Sequence, residues 1–137
     1  MDVKKDITVT AKLDSMPIVA EFIETTLEEA CCSPEMIMTM SIATDEIFSN
    51  IARYAYANGG DANIALEITN KSRLITLTFT DEGKPFDPLT APEPDITLSA
   101  EERKIGGLGI FMVKKMTDEV TYEYKDGKNI LRVKKSF

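Results

Sequence analysis

Apolar and polar positions repeat along this chain in two different periods, and each change of period marks an element. Residues 7–11, ITVTA, alternate and predict a first strand. Ser15 followed by Pro17 predicts a capped helix start. Val19, Phe22, Ile23, Thr26, Leu27 and Ala30 then recur at helical spacing. Ser33-Pro34 repeats the cap-and-proline signal. From about 34 to 57, Met36, Met40, Ala43, Ile47, Ile51 and Tyr54 form a stripe in steps of three and four, the core face of a long second helix. Asn58-Gly59-Gly60 ends that helix. Period two returns over 62–69, with Ile64, Leu66 and Ile68 on one face, and over 74–80, with Ile75, Leu77 and Phe79. Asn70-Lys71-Ser72 joins the two runs as a hairpin with one buried face.

Residues 81–104 show no clear period and carry four of the six prolines. An ordered domain seldom keeps so long a loop without a use for it. Gly106-Gly107-Leu108-Gly109 opens a short helix that runs through Met116. Two closing strands follow, one with Val120, Tyr122 and Tyr124, the other with Leu131 and Val133, joined by a turn at Asp126-Gly127. The order β-α-α-β-β-loop-α-β-β predicts a two-layer α+β domain, helices packed on a largely antiparallel sheet. Residues 1–137 read as one domain, without repeat or linker.

Charge and composition narrow the function classes. The net charge of −7 disfavours binding to nucleic-acid phosphates and to an anionic membrane surface. No apolar run approaches a membrane span, and MDVKKDITVT lacks the apolar stretch of a secretory signal. Cys31 and Cys32 are adjacent. Neighbouring cysteines rarely bridge, so they read as reduced thiols packed as small apolar groups in a cytoplasmic protein. The chain has no histidine. That removes the commonest general base, every Ser-His-Asp or Cys-His arrangement, and any phosphohistidine on this chain. Catalysis here would rest on carboxylates, lysines, arginines or a bound ion.

Three segments carry polar groups in suggestive places. On the long helix, Glu46, Asn50 and Arg53 are spaced by four and three and share a face. That row lies about 100° around the helix from the apolar row, so it borders the core. A solvated face with an ordinary Glu-to-Arg pairing is one reading. The other is chemical: an Asn amide oxygen suits Mg²⁺, a Glu one turn away can accept a proton, and an Arg one turn further can hold phosphate oxygens. In DEGKPFDP, residues 81–88, a buried Asp81 can accept a hydrogen bond from an exocyclic amine such as that of adenine. Gly83 would let a flat ring approach the backbone, and Phe86 would wall the pocket. Plain turn chemistry also accounts for that stretch. In KIGGLGIF, residues 104–111, the glycines at a helix start can aim backbone N–H groups at phosphate, with Arg103 and Lys104 adding positive charge. A flexible helix start is the alternative. The pattern is not a P-loop, because no G-K-[ST] follows.

Together these segments supply metal ligand, base pocket and phosphate cradle in that order, and in this the chain resembles the GHKL (Bergerat-fold) ATPases. DEIFSNIARYAY is similar to their N-box, DEGKPFD to the adenine-binding G1 box and GGLGIF to the G2 box. The resemblance covers about residues 7–136 and is strongest to the anti-sigma factor serine/threonine kinases of the RsbW and SpoIIAB type. It implies a histidine kinase-like ATPase fold with helices on one face of a mixed, mostly antiparallel sheet. It implies Glu46 as catalytic base, Asn50 as Mg²⁺ ligand and Arg53 as the phosphate-side basic residue. Asp81 and Gly83 match the adenine-recognising pair, with Phe86 beside them. Gly107 and Gly109 match the phosphate-loop glycines, with Gly106 and Leu108 beside them in the nucleotide-binding stretch. Arg103 and Lys104 fall in the lid without matching a fixed motif position. Pro85 departs from the pattern, standing where many members of the superfamily have a second glycine.

The resemblance further implies ATP and Mg²⁺ as cofactors, a homodimer, and two protein partners: a sigma factor held inactive and an anti-anti-sigma (STAS-domain) protein phosphorylated on Ser or Thr. Two other readings stay open at this point. One is an ATP-gated binding regulator without productive phosphotransfer. The other is a detached histidine-kinase catalytic domain acting on a separate histidine protein.

Overall fold

The computed structural model describes residues 2–90 and 107–137. Strand β1 (Val3–Thr10) leads through a 3₁₀ turn (Leu13–Ser15) into helices α1 (Met16–Glu29) and α2 (Pro34–Tyr54). Strands β2 (Asp61–Thr69) and β3 (Leu74–Asp81) follow, then a 3₁₀ turn (Pro88–Thr90), helix α3 (Gly107–Met116) and strands β4 (Glu119–Lys125) and β5 (Lys128–Ser136). The five strands form one sheet in the order β1-β2-β3-β5-β4. All four pairings are antiparallel. The expected mixed character survives only as direction: β3 and β4 run the same way but are separated by β5, so no parallel ladder forms between them.

Period two explains the sheet's single buried face. Ile64, Leu66 and Ile68 of β2, Ile75, Leu77 and Phe79 of β3, and Leu131 and Val133 of β5 are buried on one side. Against them pack Val19, Ile23 and Leu27 of α1, Met40, Ala43, Ile47 and Phe48 of α2, and Ile110 and Val113 of α3. The β4–β5 turn at Asp126 and Gly127 has φ of 54° and 77°, the left-handed pair that a two-residue hairpin loop requires.

The helix boundaries differ in detail from the sequence reading. Ser33 does cap α2, accepting a hydrogen bond from the Met36 amide at 3.2 Å. Ser15 does not cap α1. The 3₁₀ turn before it already holds it in a helical conformation, and its side chain accepts no capping bond. β1 begins four residues before Ile7, because an edge strand needs only backbone pairing and tolerates the exposed Lys4, Lys5 and Asp6; Lys5, on the helix side, pairs with Glu29 of α1. Tyr54, the last residue of the helical stripe, is exposed rather than in the core.

The end of α1 is held in a six-residue loop-back. The Cys32 amide donates to the Leu27 carbonyl and the Cys31 amide to the Glu28 carbonyl, each at 3.0 Å. Cys31 takes the position normally given to glycine, with φ of 61°. It is exposed and Cys32 half-buried, so only the second of these free thiols packs as expected. Cys31→Gly relieves the left-handed strain and raises unfolding free energy by about 0.5 kcal/mol after the added unfolded-state entropy is subtracted. A higher urea midpoint with unchanged slope is the expected readout, and a lower midpoint contradicts the account.

Candidate nucleotide-binding site

Parity along β3 carries Asp81 inward. It continues the buried run Ile75, Leu77, Phe79 and is itself only 5% exposed. A carboxylate in that place needs hydrogen-bond partners. Its Oδ1 accepts from the Gly83 amide and from Asn129 Nδ2, both at 2.9 Å. No described residue donates to Oδ2, and Asp81 lines a pocket of about 450 Å³, its open mouth included.

The β3–β5 register sets Asn129 directly across from Asp81. Asn129 is buried and serves as the hub of the loop that follows β3. Its Nδ2 also donates to the carbonyls of Lys84 (2.9 Å) and Gly83 (3.3 Å). Its Oδ1 accepts from the Phe86 amide at 3.2 Å and from the Tyr122 hydroxyl. Burial pushes the Tyr122 phenol up, which keeps it a proton donor to Asn129. Sequence reasoning missed Asn129 and Tyr122. A signal existed: 129, 131 and 133 share the inward face of β5, and a polar Asn there breaks an apolar run. Asn129→Ala removes five hydrogen bonds at once. It should weaken ATP binding by at least about tenfold while the secondary structure stays intact. Calorimetric titration alongside circular dichroism checks both halves of that expectation.

Gly83 is required for contact rather than for unusual backbone angles. A Cβ there would fall on the carbonyl of Ala55, the capping residue of α2. That carbonyl accepts from the Lys84 amide at 2.9 Å, so the loop is fastened to the helix end. Phe86 lies at the pocket wall with Tyr54, ring centroids 5.9 Å apart and planes tilted by 38°. These two partly exposed rings and Lys84 frame the pocket opposite Ile47, Ile51 and Phe79.

On α2, Asn50 is buried and lines the same pocket. Its Oδ1 is fully buried and has no hydrogen-bond partner among the described residues. Glu46, one turn earlier, is half-buried and lies against α3: a Cβ on Gly109 would fall on its carboxylate. The fold thus brings the glycine-rich helix start to Glu46 across about 60 residues of chain. Neither Glu46 nor Arg53 enters an ion pair among the described residues, which removes the ordinary helical pairing as an explanation of the row. Arg53 is exposed and outside the pocket wall. Gly107 begins α3 and Leu108 follows it. Arg103, Lys104 and Gly106 lie outside the described residues. Among the described residues no helix is long and apolar enough to cross a membrane.

A pocket walled by a buried, half-satisfied carboxylate on a two-layer α+β scaffold is what these residues build, and comparison with known families says which scaffold it is. The chain belongs to the histidine kinase-like ATPase family, whose domain description matches residues 9–135. It is similar to the serine/threonine-protein kinase BtrW of Bordetella bronchiseptica, 28% identical over 99 residues covering 72% of this chain and 70% of that one. It is also similar to the serine-protein kinase RsbW of Listeria monocytogenes, 28% identical over 106 residues, 74% of this chain and 68% of that one. A serine-protein kinase RsbW of Staphylococcus aureus is 31% identical over 100 residues, 68% of this chain and 62% of its own.

Proposed function

We propose that this protein is an ATP-dependent serine/threonine kinase that phosphorylates a small regulatory protein of the anti-anti-sigma (STAS) type, and that it also sequesters a sigma factor. The observation that carries the nucleotide reading is the orphaned Oδ1 of Asn50 in the wall of the Asp81 pocket. A buried carbonyl oxygen without a donor is costly unless something else takes its lone pairs. A Mg²⁺ ion, which prefers oxygen ligands and shares its shell with phosphates and water, fits that oxygen. Magnesium there would neutralise charge on the phosphates.

The chain's own groups supply the rest. Asp81 Oδ2 accepts from the adenine amine, while Asn129 and Gly83 fix its Oδ1. Phe86 and Tyr54 flank the base. The amides of Gly107, Leu108 and Gly109 at the start of α3 face phosphate oxygens. Glu46 takes the proton of the attacking Ser or Thr hydroxyl as that oxygen bonds the γ-phosphorus and the bond to the ADP oxygen breaks. Arg53 stands at the outer end of the same row, toward phosphate. The protein acts in the cytoplasm as a homodimer.

The test is label transfer from γ-labelled ATP, with Mg²⁺, into a purified STAS-domain protein. Acid-stable label on Ser or Thr is expected. ATP bound without any transfer would replace this reading with an ATP-gated binding regulator, and acid-labile label would point to a histidine acceptor.

A further inference from the structure

A second concavity lies on the far side of the helical layer from the sheet. The paired helices α1 and α2 bury one face in the core, yet between their outer faces runs a groove with about 1010 Å³ of open space. Its floor is apolar, built from Ile37, Met38 and Ile42; Met38 is 65% exposed and Ile42 37%. Its rim is acidic, with Glu24 and Glu28 from α1 and Asp45 from α2. No lysine or arginine lines it, and none of these three acids enters an ion pair among the described residues. The Ser41 hydroxyl, also in the groove, has its oxygen buried without a hydrogen-bond partner among the described residues.

We infer that this groove docks a basic amphipathic helix of a partner protein, apolar side chains seated on Ile37, Met38 and Ile42 and lysines or arginines meeting Glu24, Glu28 and Asp45. Charge complementarity selects the occupant. The rim carries three carboxylates without an ion-pair partner among the described residues, so it repels an acidic segment and offers a neutral one no ion pair, whereas a basic one gains both apolar burial and charge pairing. The wall contributed by α2, residues 34–45, is about 16 Å long, enough for three turns of a docked helix. Apolar anchors with flanking charges are the usual form of helix-in-groove recognition. Burial, with the Glu24 carboxylate beside it, holds the Asp45 carboxyl above its usual range, a strain that an incoming cation relieves. The groove shares no residue with the nucleotide pocket, so the inference stands independently of the kinase reading.

The probe is a synthetic amphipathic peptide of about 18 residues, leucine on one face and lysine on the other, titrated into the full chain by fluorescence anisotropy. Binding is expected to weaken as salt rises. The triple variant Glu24→Lys, Glu28→Lys, Asp45→Lys should lose at least about tenfold in affinity. Reversing Glu67 and Glu123, on the opposite face of the sheet, should leave affinity within about twofold, which separates the groove from general attraction to a protein of negative charge. Ile42→Ser should weaken the peptide without altering the charge. Amide chemical-shift changes should cluster on residues 24–45. Equal affinity for the wild type and the triple variant overturns the inference. So does equal loss from reversing the distant pair. If sedimentation shows a wild-type dimer that Ile42→Ser converts to monomer, the groove belongs to a second copy of the chain and the inference also fails.

Discussion

Glu46→Gln should bind ATP with nearly unchanged affinity and transfer phosphate about 10²–10⁴-fold more slowly. The substitution keeps the size and shape of the side chain, so the contact with α3 at Gly109 is preserved. It removes the negative charge and, with it, the capacity to accept a proton. Glu46 is not part of the wall of the Asp81 pocket, which is why binding and turnover should separate. Single-turnover transfer to the acceptor protein gives the rate, and titration with ATP gives the affinity. A variant that transfers at the wild-type rate would remove Glu46 from the mechanism. One that loses binding and transfer together would make it a structural support for α3 instead.

Much of this arrangement was legible in the sequence because it depends on local spacing. Period two gave the inner faces of β2, β3 and β5, and helical spacing gave the buried side of α1 and most of α2. Phe48 escaped the stripe and is nevertheless only 1% exposed, since α2 is covered by α1 and α3 as well as by the sheet. Tyr54 fitted the stripe and is not core: it is 37% exposed and lines the pocket beside Phe86, at the last residue of α2. Asp81, Gly83 and Phe86 form a contiguous stretch and so could be grouped from sequence. Asn129 could not. Its meeting with Asp81 depends on the register between β3 and β5, strands 48 residues apart at that contact, and no local pattern fixes that register. The reason for glycine at 109 is non-local in the same way: the glycine string announces a helix start, but only the packed structure shows that Glu46 occupies the space a side chain would need.

Asp81→Asn should weaken ATP binding by about 10²-fold, with little change in thermal stability beyond that of a buried amide replacement. In the wild type both oxygens of Asp81 are acceptors. Oδ1 already serves two donors, the Gly83 amide and Asn129 Nδ2; Oδ2 has no donor among the described residues and, on the proposed reading, meets the adenine amine. An asparagine has one acceptor and one donor in place of these two acceptors. If its oxygen stays with Gly83 and Asn129, its NH₂ faces the adenine amine, donor against donor. If it flips, the NH₂ faces Gly83 and Asn129 and loosens the loop that Asn129 holds. Either orientation leaves a buried donor unpaired, worth about 1–3 kcal/mol. The base preference should move with it. Wild type should favour ATP over GTP strongly, since a guanine carbonyl would confront a carboxylate oxygen, whereas the variant's NH₂ could donate to that carbonyl and narrow the gap. Competition of GTP against a fluorescent ATP analogue measures both quantities on both proteins. An unchanged ATP/GTP ratio in the variant would show that Asp81 holds the loop but does not read the base.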